Sequence, residues 1–234
     1  MTQTLVQGNL LRIQERIAQA AARAGRSAEA VTLIGVSKTH PASAIREAYE
    51  AGIRHFGENR VQEWEGKRVG SEGLAAAWHL IGHLQSNKTA RAARLFHSVD
   101  SVDDFGIAQR LDRARGEAGI TGRLRVLIEV RVAPEETKSG VEIGELPHLA
   151  EKIVELPRLH LAGLMCVPPF LEEAEQVRRY FRRLKVLRDG LTKAFDIDLS
   201  VLSMGMSHDF EVAIEEGATE VRLGTALFGT RNAG

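Results

Sequence analysis

The chain has 234 residues, of which 44% are hydrophobic and 26% are charged, and its 31 basic and 31 acidic side chains cancel. These values are ordinary for a soluble globular protein, and the neutral balance argues against a general nucleic-acid or membrane-surface role. The lone cysteine, Cys166, excludes an internal disulfide and fits a reducing compartment. The sequence has no stretch of transmembrane length and no signal-peptide pattern, so we expect a cytoplasmic protein.

The apolar and polar patterns predict an N-terminal helix followed by strands that alternate with helices. The helix covers residues 5–24, has Leu10, Ile13 and Ile17 on one face, and is closed by Gly25. The first strand, residues 31–37, is an apolar, β-branched run that ends in a lysine. Further strands are predicted at residues 53–57, 78–81, 96–99, 124–132, 159–166, 199–203 and 219–223, each followed by a helix or a helical turn.

This alternation indicates a parallel sheet. Eight units in 234 residues fit a closed (β/α)8 TIM-type barrel, which usually takes about 250 residues, as one domain over residues 1–234. The N-terminal helix is an extra element, expected to cap the amino-terminal end of the barrel. An open doubly wound sheet is the alternative, but a nucleotide-binding fold of that kind needs glycines after the first strand, and residues 37–41 contain none.

In such a barrel the active site lies at the carboxyl ends of the strands. A lysine amine in a pocket there is the group that Schiff-base chemistry requires, although a strand-end lysine is more often an ordinary surface residue. The side chains that the first six strands deliver to this rim are Lys38, Glu58, Asn59, His79, His83, Lys138 and Met165.

The loops after the last two strands carry residue types suited to a phosphate. Ser203 and Gly205 precede a helix, so free backbone N–H groups there can face an anion. Arg222 and Gly224 share one face of the eighth strand, and Gly224 and Thr225 add donors. Singly, these residues are also explained by a helix cap and a tight turn. With an amine on the first strand, they describe a ligand that has an aldehyde and a phosphate, either pyridoxal 5′-phosphate (PLP) or a sugar phosphate.

Seven segments of the chain form a specific combination of motifs: residues 35–38 (GVSK), 55–59 (HFGEN), 78–82 (WHLIG), 84–88 (LQSNK), 96–100 (FHSVD), 202–207 (LSMGMS) and 221–229 (VRLGTALFG). Together they resemble the pyridoxal phosphate homeostasis protein family, whose members are single-domain PLP-binding proteins similar to the N-terminal domain of alanine racemase. The resemblance runs from about residue 10 to residue 231. It implies a barrel of that type with PLP held on Lys38 as an internal aldimine.

The resemblance also implies roles for single residues. Lys138 matches a second lysine of the family, proposed to take part in PLP transfer. Arg131 stands where relatives usually carry an asparagine, and it adds a charge between the two lysines if it points to the rim. No metal ligand is expected. The residues expected to contact PLP are Lys38, Asn59, His79, Met165, Ser203, Gly205, Arg222, Gly224 and Thr225.

Three functions fit this site. A racemase needs a second acid/base group, which in alanine racemases is a tyrosine of another domain; here only Tyr49 and Tyr180 exist, both in predicted helices. An arginine near the pyridine nitrogen would also weaken the electron sink. We therefore favour a monomeric carrier or regulator of PLP without substantial turnover, with PLP-dependent apo-enzymes as recipients. A PLP-dependent racemase and, less favoured, a Schiff-base aldolase acting on a sugar phosphate stay open.

Overall fold

The computed structural model describes residues 4–133 and 139–229. Within these ranges, eight parallel strands close into a barrel in sequence order, with β8 pairing with β1, which confirms the predicted TIM-type barrel. The strands are β1 (Thr32–Val36), β2 (His55–Glu58), β3 (Ala77–Leu80), β4 (Ser98–Val102), β5 (Leu124–Glu129), β6 (Leu159–Met165), β7 (Val201–Met206) and β8 (Glu220–Leu223).

The helices surround the barrel, and 3-10 turns at Ser86–Lys88 and Ala174–Val177 lead into two of them. They are α1 (Leu5–Arg23), α2 (Ala42–Ala51), α3 (Val61–Arg68), α4 (Thr89–Leu95), α5 (Phe105–Glu117), α6 (Leu146–Val154), α7 (Arg178–Phe195), α8 (Phe210–Glu215) and α9 (Thr225–Phe228). Of the helices in the described ranges, none combines the length and the apolar character needed to cross a membrane.

The larger hydrophobic core lies between the barrel and the helices. Phe56 and Trp78, on neighbouring strands, stack with ring centroids 5.1 Å apart, and Trp64 of α3 stacks on Trp78 at 3.6 Å. Each large side chain buried in this way contributes about 1.5–3 kcal/mol. A smaller cluster of Leu127, Ala162 and Met165 is separate from this core.

Three strand ends differ from the prediction by three residues: β5 ends earlier, at Glu129 instead of residue 132, and β4 and β7 end later. The fourth strand, predicted at residues 96–99, extends from Ser98 to Val102 because Asp100 and Ser101 are polar yet fully buried and hydrogen-bonded. The seventh continues past Ser203 to Met206, with Gly205 at φ +95° and a register shift against β8. Both segments carry polar or glycine residues that interrupt an apolar pattern.

The N-terminal helix is part of the outer ring. α1 packs against α2, α8 and α9, where Asn9 donates to the carbonyl of Leu227 (2.9 Å) and Arg16 pairs with Glu211 (2.9 Å). The expectation that it caps the amino-terminal end of the barrel is therefore wrong. Its apolar face covers the helices beside β8 and β1 instead.

Candidate functional site

Lys38 lies just past the carboxyl end of β1, on the exposed side of the rim. Its ammonium group has no hydrogen-bond or ion-pair partner within residues 4–133 and 139–229. The next residue, Thr39, holds a left-handed backbone at φ +67°, which is unusual for a β-branched residue. The amine is thus open to a ligand and is not neutralised by any carboxylate of the described residues.

A hydrogen-bond network outside the barrel wall fixes the backbone that carries this lysine. Ser37 Oγ donates to Glu58 Oε1 (2.7 Å), and Lys67 Nζ donates to both Glu58 Oε1 (2.9 Å) and the carbonyl of Ser37 (2.8 Å). Lys67 Nζ also donates to Glu63 Oε1 (2.8 Å), which accepts the backbone N–H of Thr39. The only sequence signal for this network is the spacing of four between Glu63 and Lys67.

Arg222 on β8 is buried without an acidic partner. Its guanidinium donates to Ser203 Oγ (2.8 Å) and to the carbonyl of Cys166 (2.8 Å), and both acceptors are neutral. Among the residues described, it forms no salt bridge with a carboxylate. A buried cation whose partners are neutral favours an anionic or electron-rich ligand beside it. This environment suits a phosphate or a pyridine nitrogen.

Two further groups lie near Arg222, and the sequence prediction did not include either in the site's chemistry. Burial raises the pKa of Glu129 to about 7, helped by Asp103 and opposed by Arg222. Burial likewise raises the pKa of the Cys166 thiol to about 12. Cys166 is therefore a buried packing residue, and Glu129 ends β5 as a carboxyl group that is hard to ionise.

The loops after β7 and β8 are joined directly, because Ser207 Oγ accepts the N–H of Ala226 at 3.1 Å. Gly224 faces the inside of the barrel, where an added Cβ would lie 3.6 Å from Cβ of Val36. Gly205 faces α8 instead, since a Cβ there would lie 2.6 Å from Cβ of Ala213. The structure thus brings the predicted phosphate loops together, and it gives Gly205 a packing role as well.

The other predicted residues lie at different depths. Asn59 is partly exposed at the rim, Thr225 is exposed at the start of α9, and Met165 is fully buried in the small cluster with Leu127. Arg131 pairs with Glu142, so its charge is neutralised at the edge of the site. Lys138 lies outside the described residues.

His79 lies within the barrel, in a network towards its amino-terminal end. Its Nδ1 donates to Asp100 Oδ2 (2.9 Å), and its Nε2 lies 3.0 Å from Nδ1 of His55. Arg125 Nη2 donates to Glu220 Oε1 (2.6 Å) on the far side of the same network. Both ring nitrogens of His79 thus have a partner inside the barrel.

The pKa values of the groups in this network are shifted in different directions. Burial would raise the pKa of Asp100, but His79 and Arg125 outweigh it and the pKa is lowered. Burial and the neighbouring Asp100 raise the pKa of Glu220. Burial and His79 lower the pKa of His55 to about 4, so this imidazole is neutral at physiological pH.

Comparison with known proteins gives a consistent relationship over nearly the whole chain. The family model described as alanine racemase, N-terminal domain, matches residues 9–232. The chain is 48% identical over 222 residues to the pyridoxal phosphate homeostasis protein of Aquifex aeolicus, covering 95% of this chain and 96% of that protein.

Two solved structures are similar to this chain, one at higher and one at lower sequence identity. PipY of Synechococcus elongatus, solved with PLP bound, is 39% identical and superposes with a TM-score of 0.83 over 93% of this chain and all of that one. Alanine racemase of Clostridium difficile superposes with a TM-score of 0.74 over 97% of this chain but only 57% of the racemase, at 14% identity, which shows the barrel fold alone. The chain therefore belongs to the alanine racemase N-terminal domain family and, within it, to the pyridoxal phosphate homeostasis proteins.

Proposed function

We propose that this chain binds PLP at the carboxyl-terminal mouth of the barrel, covalently through Lys38 Nζ, and acts in PLP homeostasis as a carrier or regulator without substantial turnover. The observation that carries the proposal is a pair of cations on adjacent strands, Lys38 after β1 and Arg222 on β8, that form no ion pair with any of the residues the structure describes. The name of the Aquifex aeolicus relative and the PLP bound in PipY support the same ligand.

The residues at the mouth fit this cofactor, which supplies an aldehyde that can condense with an amine. Lys38 provides an amine that no carboxylate within residues 4–133 and 139–229 pairs with, and Arg222 provides positive charge held by neutral acceptors. We assign the phosphate and ring contacts to Ser203, Gly205, Gly224 and Thr225 with Arg222. Asn59, His79 and Met165 are proposed to line the pocket, and Lys138 to take part in transfer.

The arrangement favours a carrier over a racemase. Tyr49 lies near the end of α2, under the guanidinium of Arg54, and Tyr180 is on α7, in contact with Arg179. Neither tyrosine occupies a loop at the carboxyl ends of the strands. The exposed position of Lys38 also suits exchange with other amines better than chemistry that must exclude water. We propose a cytoplasmic monomer whose recipients are PLP-dependent apo-enzymes.

The first experiment is a visible spectrum of the purified protein, followed by borohydride reduction and peptide mass mapping. We expect a yellow protein and a phosphopyridoxyl adduct on Lys38. Lys38→Ala should lose all covalent label and keep its fold, because the side chain is exposed. Lys152→Ala, on α6, is the matched control and should label normally. An adduct that persists in the Lys38 variant would contradict the assignment.

The choice between carrier and racemase needs two assays on the PLP-loaded protein. A carrier should restore activity to a PLP-dependent apo-enzyme and should interconvert L- and D-alanine no faster than free PLP does. Racemisation well above that background, lost in Lys38→Ala, would replace the proposed function with the racemase.

A further inference from the structure

A polar cleft of about 650 Å³ opens between the loops after β2 and β3. It lies on the opposite side of β1 from the loops after β7 and β8, so it is distinct from the phosphate contacts assigned above, although Asn59 belongs to its lining and is also proposed to line the PLP pocket. Three basic side chains line it, from Arg60, His83 and Lys88, and the amides of Asn59, Gln62 and Gln85 add further donors. Among the residues that the structure describes, the lining contains no carboxylate.

The two permanent charges of this cleft are unpaired. In the part of the chain that the structure describes, neither Arg60 nor Lys88 makes a side-chain hydrogen bond or ion pair. Glu63 on α3 interacts electrostatically with Arg60, but its carboxylate accepts its hydrogen bonds from Lys67 and from the backbone N–H of Thr39. His83 differs, because its Nδ1 lies 3.5 Å from Asp103, so the excess charge comes from Arg60 and Lys88.

The walls of the cleft are held together by backbone contacts. An added Cβ at Gly82 would lie 2.3 Å from the carbonyl oxygen of Asn59, so only glycine lets the two loops approach this closely. Ser101 Oγ donates to the carbonyl of Gly82 (2.7 Å), and the N–H of Ile81 donates to the carbonyl of Glu58 (3.0 Å). The basic groups are therefore presented by a fixed frame.

The helix that follows Arg60 adds to this field. α3 begins at Val61 without a side-chain cap, and Val61 and Gln62 border the cleft. The partial positive charge at such a helix start favours an anion and complements the side chains. Val61 and Leu84 give the cleft an apolar part beside its charges.

We propose that this cleft binds a phosphate monoester of small-molecule size, with Arg60 and Lys88 as the principal contacts. A concave site of this volume, polar on one side and apolar on the other, matches small ligands rather than an extended polymer. Arginine offers paired donors to phosphate oxygens, and lysine adds a point charge. The inference does not depend on the chemistry proposed for Lys38.

The test is a titration of ¹⁵N-labelled protein with inorganic phosphate and then phenyl phosphate, at constant ionic strength, followed by amide NMR. We expect saturable shifts at the amides of residues 60–62 and 86–89, with phenyl phosphate bound more tightly because of the apolar wall. Shifts confined to the loops around Gly205 and Gly224 would report the other site only and would overturn the proposal.

Two variants complete the test. Arg60→Gln and Lys88→Gln should each weaken phosphate binding at these amides about tenfold, and the double variant more, while the loops around Gly205 and Gly224 respond unchanged. Arg110→Gln, an exposed arginine on α5, is the matched control and should bind as the wild type does. Equal affinity in all variants would mean an adventitious ion only.

Discussion

Among the described residues, two pairs of ionisable side chains form at one end of the barrel, whereas two cations at the other end lack an ion-pair partner. Towards the amino-terminal end, His79 is paired with Asp100, and Arg125 is paired with Glu220 (2.6 Å). At the carboxyl-terminal end, Lys38 has no partner among the described residues, and Arg222 has only neutral acceptors. Among the described residues, the charged groups of the first arrangement are paired with one another, although Glu220 Oε2 is buried without a hydrogen bond, whereas the second arrangement leaves positive charge for a ligand. In TIM-type barrels, residues at the amino-terminal end are expected to serve stability, and residues at the carboxyl-terminal end are expected to serve function.

The largest loss of unfolding free energy is expected when a charged partner is removed at the amino-terminal end. Asp100→Ala removes a fully buried carboxylate that holds His79 and Ser98. Because the partners stay buried without it, we expect the free energy of unfolding in urea to fall by about 3–5 kcal/mol. Asp189→Ala, which removes an exposed ion pair on α7, is the control and should cost less than about 1 kcal/mol. A loss at Asp100 no larger than at Asp189 would contradict the contrast between the ends.

At the carboxyl-terminal end of the barrel, the buried Glu129 lowers the free energy of unfolding by an amount that depends on pH. Its native pKa is raised from 4.5 to about 7, so between these values the native state binds more protons than the unfolded state. Stability should therefore fall as the pH rises through this window, by about 3 kcal/mol in full above pH 7. Glu129→Gln removes this destabilisation. The unfolding free energy of the variant, measured in urea, should therefore exceed that of the wild type by a margin that grows by about 3 kcal/mol between pH 4 and pH 8. Parallel pH profiles for the two proteins would rule this out.

Breaking the network behind Lys38 should have an intermediate effect. Lys67→Met leaves Glu58 buried beside Ser37 without its cation, so we expect a loss of about 2–3 kcal/mol in unfolding free energy and slower labelling of Lys38 by PLP. The double variant Lys67→Met/Glu58→Gln removes the stranded charge and should recover part of the stability. If the double variant is less stable than the single one, Glu58 is not the source of the loss.

The smallest effect on the fold is expected at Arg222. Since its acceptors are neutral, Arg222→Gln should change the unfolding free energy of the PLP-free protein by less than about 1 kcal/mol. The same variant should weaken PLP binding at least tenfold, or about 1.4 kcal/mol, as measured by absorbance titration. If the variant is strongly destabilised and its PLP affinity is unchanged, Arg222 stabilises the fold and does not bind the ligand.

The fold was largely predictable because its signals are periodic. Short apolar strands alternating with helices indicate the barrel, and the register of β8 against β1 closes it. The prediction failed where burial and polarity conflict. Asp100 reads as a strand end in the sequence, yet it is buried within β4 because His79 and Ser98 satisfy its carboxylate.

The candidate site was predictable only in part. Lys38 and Arg222 stand out because each lies at a strand position that faces the mouth. Lys67 was not predicted, since its role depends on α3 folding back against Ser37 and Glu58, a contact with no local pattern. His79 was assigned to the pocket by resemblance, and its actual partners, His55 and Asp100, come from strands that pair only once the barrel closes.

The left-handed backbone of Thr39 limits how this lysine loop can be transplanted. That conformation costs a non-glycine residue about 1–2 kcal/mol and persists only where its surroundings enforce it. Here Glu63 supplies the enforcing contact to the N–H of Thr39, and Lys67 holds Glu63 in place. The geometry of Lys38 is thus encoded partly outside its own segment. Moving residues 35–39 alone into another barrel would transfer the amine but not its placement, and a working graft would need Glu58, Glu63 and Lys67 as well.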